Sequence, residues 1–328
     1  MLEKFERIKL GHFPTPIEHL KNITKYLGGP NIFIKRDDCT GLATGGNKTR
    51  KLEFLIPDAI KNKTEIVVTV GAVQSNHARQ TAAACTLMGL KCLIILEQRL
   101  KDPPDAYMNS GNVFLNKLLG AKVMLCPKDQ NILEYSTKVV EDIKSKGTNV
   151  YFIPGGGSNS IGALGYVECF NEILKENNKY NFTHIVHATG SSGTQAGLLA
   201  GKKYFKSQLQ IIGISVRYEK KIQEEKVYNE AKKTCEKLKC DVLDRSEVVA
   251  YDDYVGSGYG EPTDEMIEAT NLLAKKEAIL LDPVYSGKGF AGLIGLIRQK
   301  KFTKEDNILF IHTGGAVSLS AYEWAFNK

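Results

Sequence analysis

The sequence lacks the features that announce several classes of protein. No apolar stretch approaches the length needed to cross a bilayer, so a helical membrane protein is not expected. The first ten residues, MLEKFERIKL, carry charge throughout and hold no apolar signal core, so the expected compartment is the cytoplasm. The seven cysteines are scattered, without the paired spacing of a zinc site or a disulfide framework, and fit free thiols. Cys39 and Cys85 have no mechanistic neighbour by motif and read as filler rather than nucleophiles. His12, His19, His184, His187 and His312 form no sequence-spaced cluster, and no metal is expected. There is no internal repeat, low-complexity segment, basic block or aromatic-basic stripe, which argues against nucleic acid as a partner. The net charge of +7, from 44 basic and 37 acidic residues, is dispersed lysine and suits small anionic ligands.

What remains is an ordinary globular composition, 42% hydrophobic and 25% charged, on a chain of 328 residues that is long for one core. Short apolar runs at Ile32–Ile34, Ile66–Val70, Cys92–Leu96, Ala121–Leu125, Val150–Ile153, Thr183–Ala188, Ile211–Val216 and Ile308–His312 read as strands. Helical spacing separates them, over Asn47–Ala59, from Ser75 onward, and over Ile132–Lys146, Ala163–Leu174, Gln195–Tyr204, Glu219–Lys239 and Leu293–Lys300. Residues 1–30 read as irregular, Tyr251–Pro262 as turns and Asp282–Gly289 as a loop. Repeated strand–helix units predict an α/β fold of mainly parallel sheets with helices on both faces, and a ligand site in the crevice at the strands' carboxyl ends.

Two stretches carry chemistry. Gly41–Glu53, GLATGGNKTRKLE, places Asn47 and Lys48 at a helix start, where the dipole disfavours a cation. A lysine there is stabilised by facing an anion, or by condensing with an aldehyde cofactor and ceasing to be an ammonium. A solvated surface lysine is the ordinary alternative. The second stretch is TGSSGTQAG, Thr189–Gly197, between a strand and a helix. Small residues let a phosphate approach the backbone, helix N–H groups can hold it, and Ser191, Ser192 and Thr194 add hydroxyls. It is neither a Walker loop nor a dinucleotide fingerprint. PGGGS, Pro154–Ser158, reads as a linker or a site wall.

Three separated motifs, GGNKTRKLE at Gly45–Glu53, GAVQSNHARQTAAA at Gly71–Ala84 and ATGSSGTQAG at Ala188–Gly197, together resemble the fold-type-II pyridoxal-phosphate (PLP) enzymes. Within them the chain resembles the branch of aminocyclopropanecarboxylate deaminase, D-cysteine desulfhydrase and L-cysteate sulfo-lyase. LGHFPTPIE, GYGEPT, DPVYSGKG and FIHTGG, which start at Leu10, Gly258, Asp282 and Phe310, also look like that branch. The resemblance implies two three-layer α/β domains of the tryptophan-synthase-β kind. The smaller spans 48–160 and the larger takes 1–47 with 161–328. It also implies a homodimer.

By the same resemblance, Lys48 is the lysine bonded to the cofactor aldehyde, with Asn47, Lys51 and Asn76 near the cofactor. Residues 189–194 (Thr189, Gly190, Ser191, Ser192, Gly193 and Thr194) form the phosphate cup, and Ser286 and Thr313 complete the cofactor contacts. Ser75 is placed by the substrate carboxylate, with Thr44, Gln74 and His77 on the substrate side. Tyr259 and Tyr285 face the reacting groups. The deaminases carry glutamate after the DPVY tyrosine; here it is Ser286, and a hydroxyl cannot hold a positive pyridinium as a carboxylate can. That turns the expectation from aminocyclopropanecarboxylate deaminase toward α,β-elimination, with L-cysteate placed ahead of D-cysteine as substrate. A β-replacing enzyme and a non-catalytic ligand sensor are the other classes weighed.

Overall fold

The computed structural model describes residues 2–327. Its strands are β1 (Ile17–His19), β2 (Asn31–Lys35), β3 (Ile66–Ala72), β4 (Lys91–Glu97) and β5 (Lys122–Leu125). They continue with β6 (Val150–Ile153), β7 (His184–Thr189), β8 (Gln210–Ser215), β9 (Val249–Tyr251) and β10 (Asn307–Ile311). They form two sheets, of order β1-β2-β10-β7-β8-β9 and β5-β4-β3-β6. β1 runs antiparallel to β2; the other pairings are parallel. The fold is therefore α/β with mainly parallel sheets.

Each central strand is apolar on both sides because both sheet faces are covered. In β10, Leu309 and Ile311 enter the core under the Leu164–Tyr180 and Gly193–Tyr204 helices, while Ile308 and Phe310 enter the core under the Ser286–Arg298 helix. In β4, Ile94 and Leu96 pack toward the Lys48–Lys61 and Asn76–Leu87 helices, and Leu93 and Ile95 toward the opposite face.

The sheets are tied by a buried ionic network. Arg50, on the Lys48–Lys61 helix, pairs with Asp37 after β2 and with Glu172 on the Leu164–Tyr180 helix, each at 2.8 Å. Lys35 of β2 reaches Glu172 at 2.9 Å, and the Tyr166 hydroxyl donates to Asp37 at 2.6 Å. Burial opposes ionisation of Asp37, but the Arg50 charge overcomes it and leaves its pKa below the ordinary value.

Four sequence expectations needed correction. Residues 1–30 contain β1 and the helix Lys21–Leu27, which closes on Gly28 at φ 63°. A three-residue strand is too short to show periodicity, and β1 exists because it adds to the edge of β2. β9, also three residues, adds to the edge of β8 in the same way where no strand was expected. The third correction is the Ser286–Arg298 helix, which starts well before Leu293, within the stretch read as a loop. Gly287 and Gly289 hide its start, since glycine is a poor helix former. Last, the Leu164–Tyr180 helix outruns its expected end because its polar final turns give no apolar stripe.

Candidate active site

Parallel strands deliver their carboxyl ends to one crevice. β7 ends at Thr189 and the chain turns through Gly190–Ser192 into a helix; β10 ends beside Thr313; β3 leads to Ser75, which caps the helix starting at Asn76. The cavity these ends enclose is lined by Asn47, Lys48, Asn76, Ala188, Thr189, Gly190, Ser191, Ser192, Thr194, Tyr285 and Thr313. Residues distant in sequence, on either sheet, thus meet at one point.

Lys48 is buried, its Nζ 2.7 Å from Asn47 Oδ1 and 5.6 Å from the centre of the Tyr285 ring. Burial pulls its pKa down to about 8; the Asp282 charge partly restores it and the Arg79 charge lowers it further. Asn47 in turn donates to Thr194 Oγ1 at 3.1 Å, which links the lysine helix to the 189–194 turn.

Lys51 lies one turn on, its Nζ 2.9 Å from Gly156 O and 3.4 Å from Ser158 Oγ. Burial first, then the neighbouring Lys48, drives its pKa well below the ordinary lysine value. Among the described residues neither lysine forms an ion pair. Ser158 Oγ bonds Ser191 Oγ at 2.9 Å and accepts from Gly193 N at 3.1 Å. PGGGS therefore backs the 191–193 turn of this site without lining the cavity itself. A Cβ at Gly193 would stand 2.7 Å from Ser158 Oγ and 3.0 Å from Lys51 Nζ, so only glycine lets these elements close.

Asn76 Oδ1 accepts from Arg79 Nη1 at 3.2 Å and Asn112 Nδ2 at 2.9 Å, which leaves its amide N–H groups as the donors facing the cavity. Arg79 is fully buried, with Nε unpartnered and Nη2 on Gly45 O at 2.6 Å. Burial lowers its pKa to about 10, against the Asp282 charge.

Of the remaining expected residues, Tyr285 and Thr313 line the cavity and the others lie further out. The Tyr259 and Tyr285 hydroxyls are 2.5 Å apart, and burial keeps both phenols protonated well past neutrality. Ser286 lies behind Tyr285, bonded to Asp282. Ser75 Oγ accepts from Ala78 N at 3.1 Å. Gln74 spends its amide on the backbone of Tyr107, Ser110 and Asn112, and does not line the cavity. His77 is buried below it, with Nε2 2.7 Å from Thr69 Oγ1; burial holds the ring neutral. Thr44 occupies a left-handed turn at φ 72°, away from the lining. Sequence reasoning passed over Arg79, Asn112 and Asp282. Arg79 and Asp282 stand inside motifs quoted above, three and four residues from Asn76 and Ser286, but their roles appear only as contacts.

A family model described as pyridoxal-phosphate dependent enzyme matches residues 8–314. A solved structure described as that of an ACC deaminase homologue is 37% identical, with a TM-score of 0.90, and the match covers 99% of this chain and 96% of that one. The residues fit such a cofactor. Two buried lysines without carboxylate partners, a run of serine and threonine hydroxyls at a helix N-terminus, and a buried Thr313 Oγ1 with no partner form a donor set for a phosphorylated aldehyde.

Proposed function

The chain belongs to the pyridoxal-phosphate dependent enzymes, with PLP as its cofactor, and from that premise we propose that it is a lyase performing α,β-elimination on a cysteine-like amino acid, L-cysteate above all. The products would be pyruvate, sulfite and ammonia. PLP supplies an aldehyde for the amino group and an electron-withdrawing ring that acidifies the α-proton. Lys48 would hold the aldehyde, the 189–194 turn with Lys51 the phosphate, and Asn76 and Thr313 the ring's polar substituents.

The observation that carries the reading is an acid and a base built face to face. A buried amine of pKa about 8 stands over a phenol that is hydrogen-bonded to a second phenol. The amine is suited to take the α-proton at near-neutral pH, and the Tyr285–Tyr259 pair to give a proton to what leaves Cβ. Ser286, where the deaminases of the resembling branch carry glutamate, supports elimination over ring opening. Asp282, the carboxylate whose charge acts on Lys48, is already committed to the amides of Val284, Tyr285 and Ser286 and to the Ser286 hydroxyl. The same reading takes 48–160 as a smaller domain, 1–47 with 161–328 as a larger one, and the enzyme as a cytoplasmic homodimer.

The test is product analysis. PLP-loaded protein is mixed separately with L-cysteate, D-cysteine and aminocyclopropanecarboxylate, and sulfite, sulfide and oxobutyrate are measured. Sulfite from L-cysteate with the highest kcat/KM supports the proposal. Sulfide from D-cysteine alone reassigns the enzyme to the desulfhydrases, and oxobutyrate overturns the elimination reading.

A further inference from the structure

Tyr259, whose hydroxyl meets that of the cavity-lining Tyr285, is flanked by cations from the segments after β4 and β8. The Arg99 guanidinium lies 4.5 Å from the centre of the Tyr259 ring, and that of Arg217 lies 5.9 Å from the same ring. The two arginines come from different places: Arg99 from the segment after β4, Arg217 from the segment after β8. Glu97 takes the Nε of Arg99 at 2.6 Å; among the described residues the Arg99 Nη1 and Nη2 groups and the whole Arg217 head donate to no protein acceptor. Arg217 also covers Tyr218 at 4.7 Å, and Lys226 lies 5.2 Å from that ring. Among the described residues Glu97 is the one carboxylate that pairs with these three cations.

We propose that Arg99 and Arg217 form a subsite for a second, fixed negative charge on the substrate, and so select amino acids whose β-substituent is itself an anion, a sulfonate in the first place. The inference rests on the reading of the site as a β-eliminating centre and goes beyond it by naming what recognises the leaving group. A guanidinium presents parallel N–H donors at a spacing that matches two oxygens of a sulfonate, and it keeps its charge at any pH the enzyme meets. Two guanidiniums against one ring, from two different segments, would give a tetrahedral anion donors from two directions beside the phenol pair. When the Cβ–S bond breaks, its electron pair leaves with sulfur. The sulfite formed carries more negative charge than the sulfonate did, so the same donors hold the leaving group more tightly as it departs. The Cα–H electrons become the second bond of 2-aminoacrylate, which water converts to pyruvate and ammonia.

The experiment uses PLP-loaded wild type, Arg99→Met, Arg217→Met and the double variant, with L-cysteate and with β-chloro-L-alanine, which eliminates a group bearing no fixed charge. The double variant is expected to lose kcat/KM on L-cysteate roughly 100-fold more than on β-chloro-L-alanine, mainly through KM, with Arg→Lys variants recovering part of it. Equal losses on both substrates overturn the subsite. A second measurement needs no cysteate turnover: inhibition of β-chloro-L-alanine elimination by 3-sulfopropanoate. Stronger inhibition of wild type than of the double variant supports the subsite even if cysteate proves not to be a substrate. Equal inhibition, or none, overturns the subsite while leaving the elimination reading intact. Far-ultraviolet circular dichroism and bound PLP absorbance establish that each variant is folded and loaded.

Discussion

The Ser286 hydroxyl stands 2.7 Å from Asp282 Oδ1 and 2.7 Å from the Asp282 backbone nitrogen, so one side chain closes both ends of the same residue. The hydroxyl donates to the carboxylate and accepts from the amide. Asp282 also takes the N–H groups of Val284, Tyr285 and Ser286 at 3.2, 3.0 and 2.6 Å. The carboxylate thus fixes the turn that delivers Tyr285 to Lys48, and it is the anion whose charge raises the Lys48 pKa.

Asp282→Asn puts an amide N–H where an oxygen now meets backbone donors. The variant is expected to lose about 1–3 kcal/mol of stability, measured by urea unfolding. It also removes the charge that raises the Lys48 pKa, so that pKa falls. A variant as stable as wild type would show that the turn is held by other contacts.

Covalent attachment of PLP needs the neutral form of Lys48. The rate at which apoprotein gains absorbance after PLP is added is expected to rise with pH through about 8 and then level. Arg79→Met removes a positive charge that lowers the Lys48 pKa, so its profile moves to higher pH. Lys48→Ala should gain no such absorbance and release no pyruvate. Turnover retained by that variant would end the assignment of Lys48.

Gly193→Ala places a methyl 2.7 Å from Ser158 Oγ and 3.0 Å from Lys51 Nζ. One of these donors must give way. PLP affinity, measured by titration of the apoprotein, is expected to fall by roughly tenfold or more, ~1.4 kcal/mol per factor of ten. Thermal unfolding of the apoprotein should change less than PLP affinity does.

Arg50→Met leaves Asp37 and Glu172 buried beside Lys35 alone. A loss of about 3–5 kcal/mol is expected, because breaking one side of a buried pair strands the other. Burial opposes ionisation of both carboxylates, and Arg50 overcomes it, holding their folded pKa values below the ordinary 3.8 and 4.5. Stability from that depression is full above those values and is lost as pH falls through the lower folded ones. The gap between wild type and variant should therefore narrow on acidification below pH 4.5, read from unfolding curves at a series of pH values.

The sequence by itself determined the α/β class and, through its motifs, the PLP-dependent family. Strands buried on both faces must be apolar throughout, and a phosphate turn must be built of small hydroxylated residues; both demands act within a few neighbouring positions. It could not show β1 or β9, whose three residues are held by pairing with a neighbour rather than by their own pattern. It left PGGGS open between linker and wall, because Ser158 meets Ser191 and Gly193 only when two sheets are brought together. The resemblance put Gln74 on the substrate side; folding places its amide against the backbone of residues 107–112. Tertiary structure alone decided the pKa of Lys48, the orientation of the Asn76 amide and the approach of both Arg99 and Arg217 to the Tyr259 ring. Each depends on charges and acceptors that lie close in space but far apart along the chain.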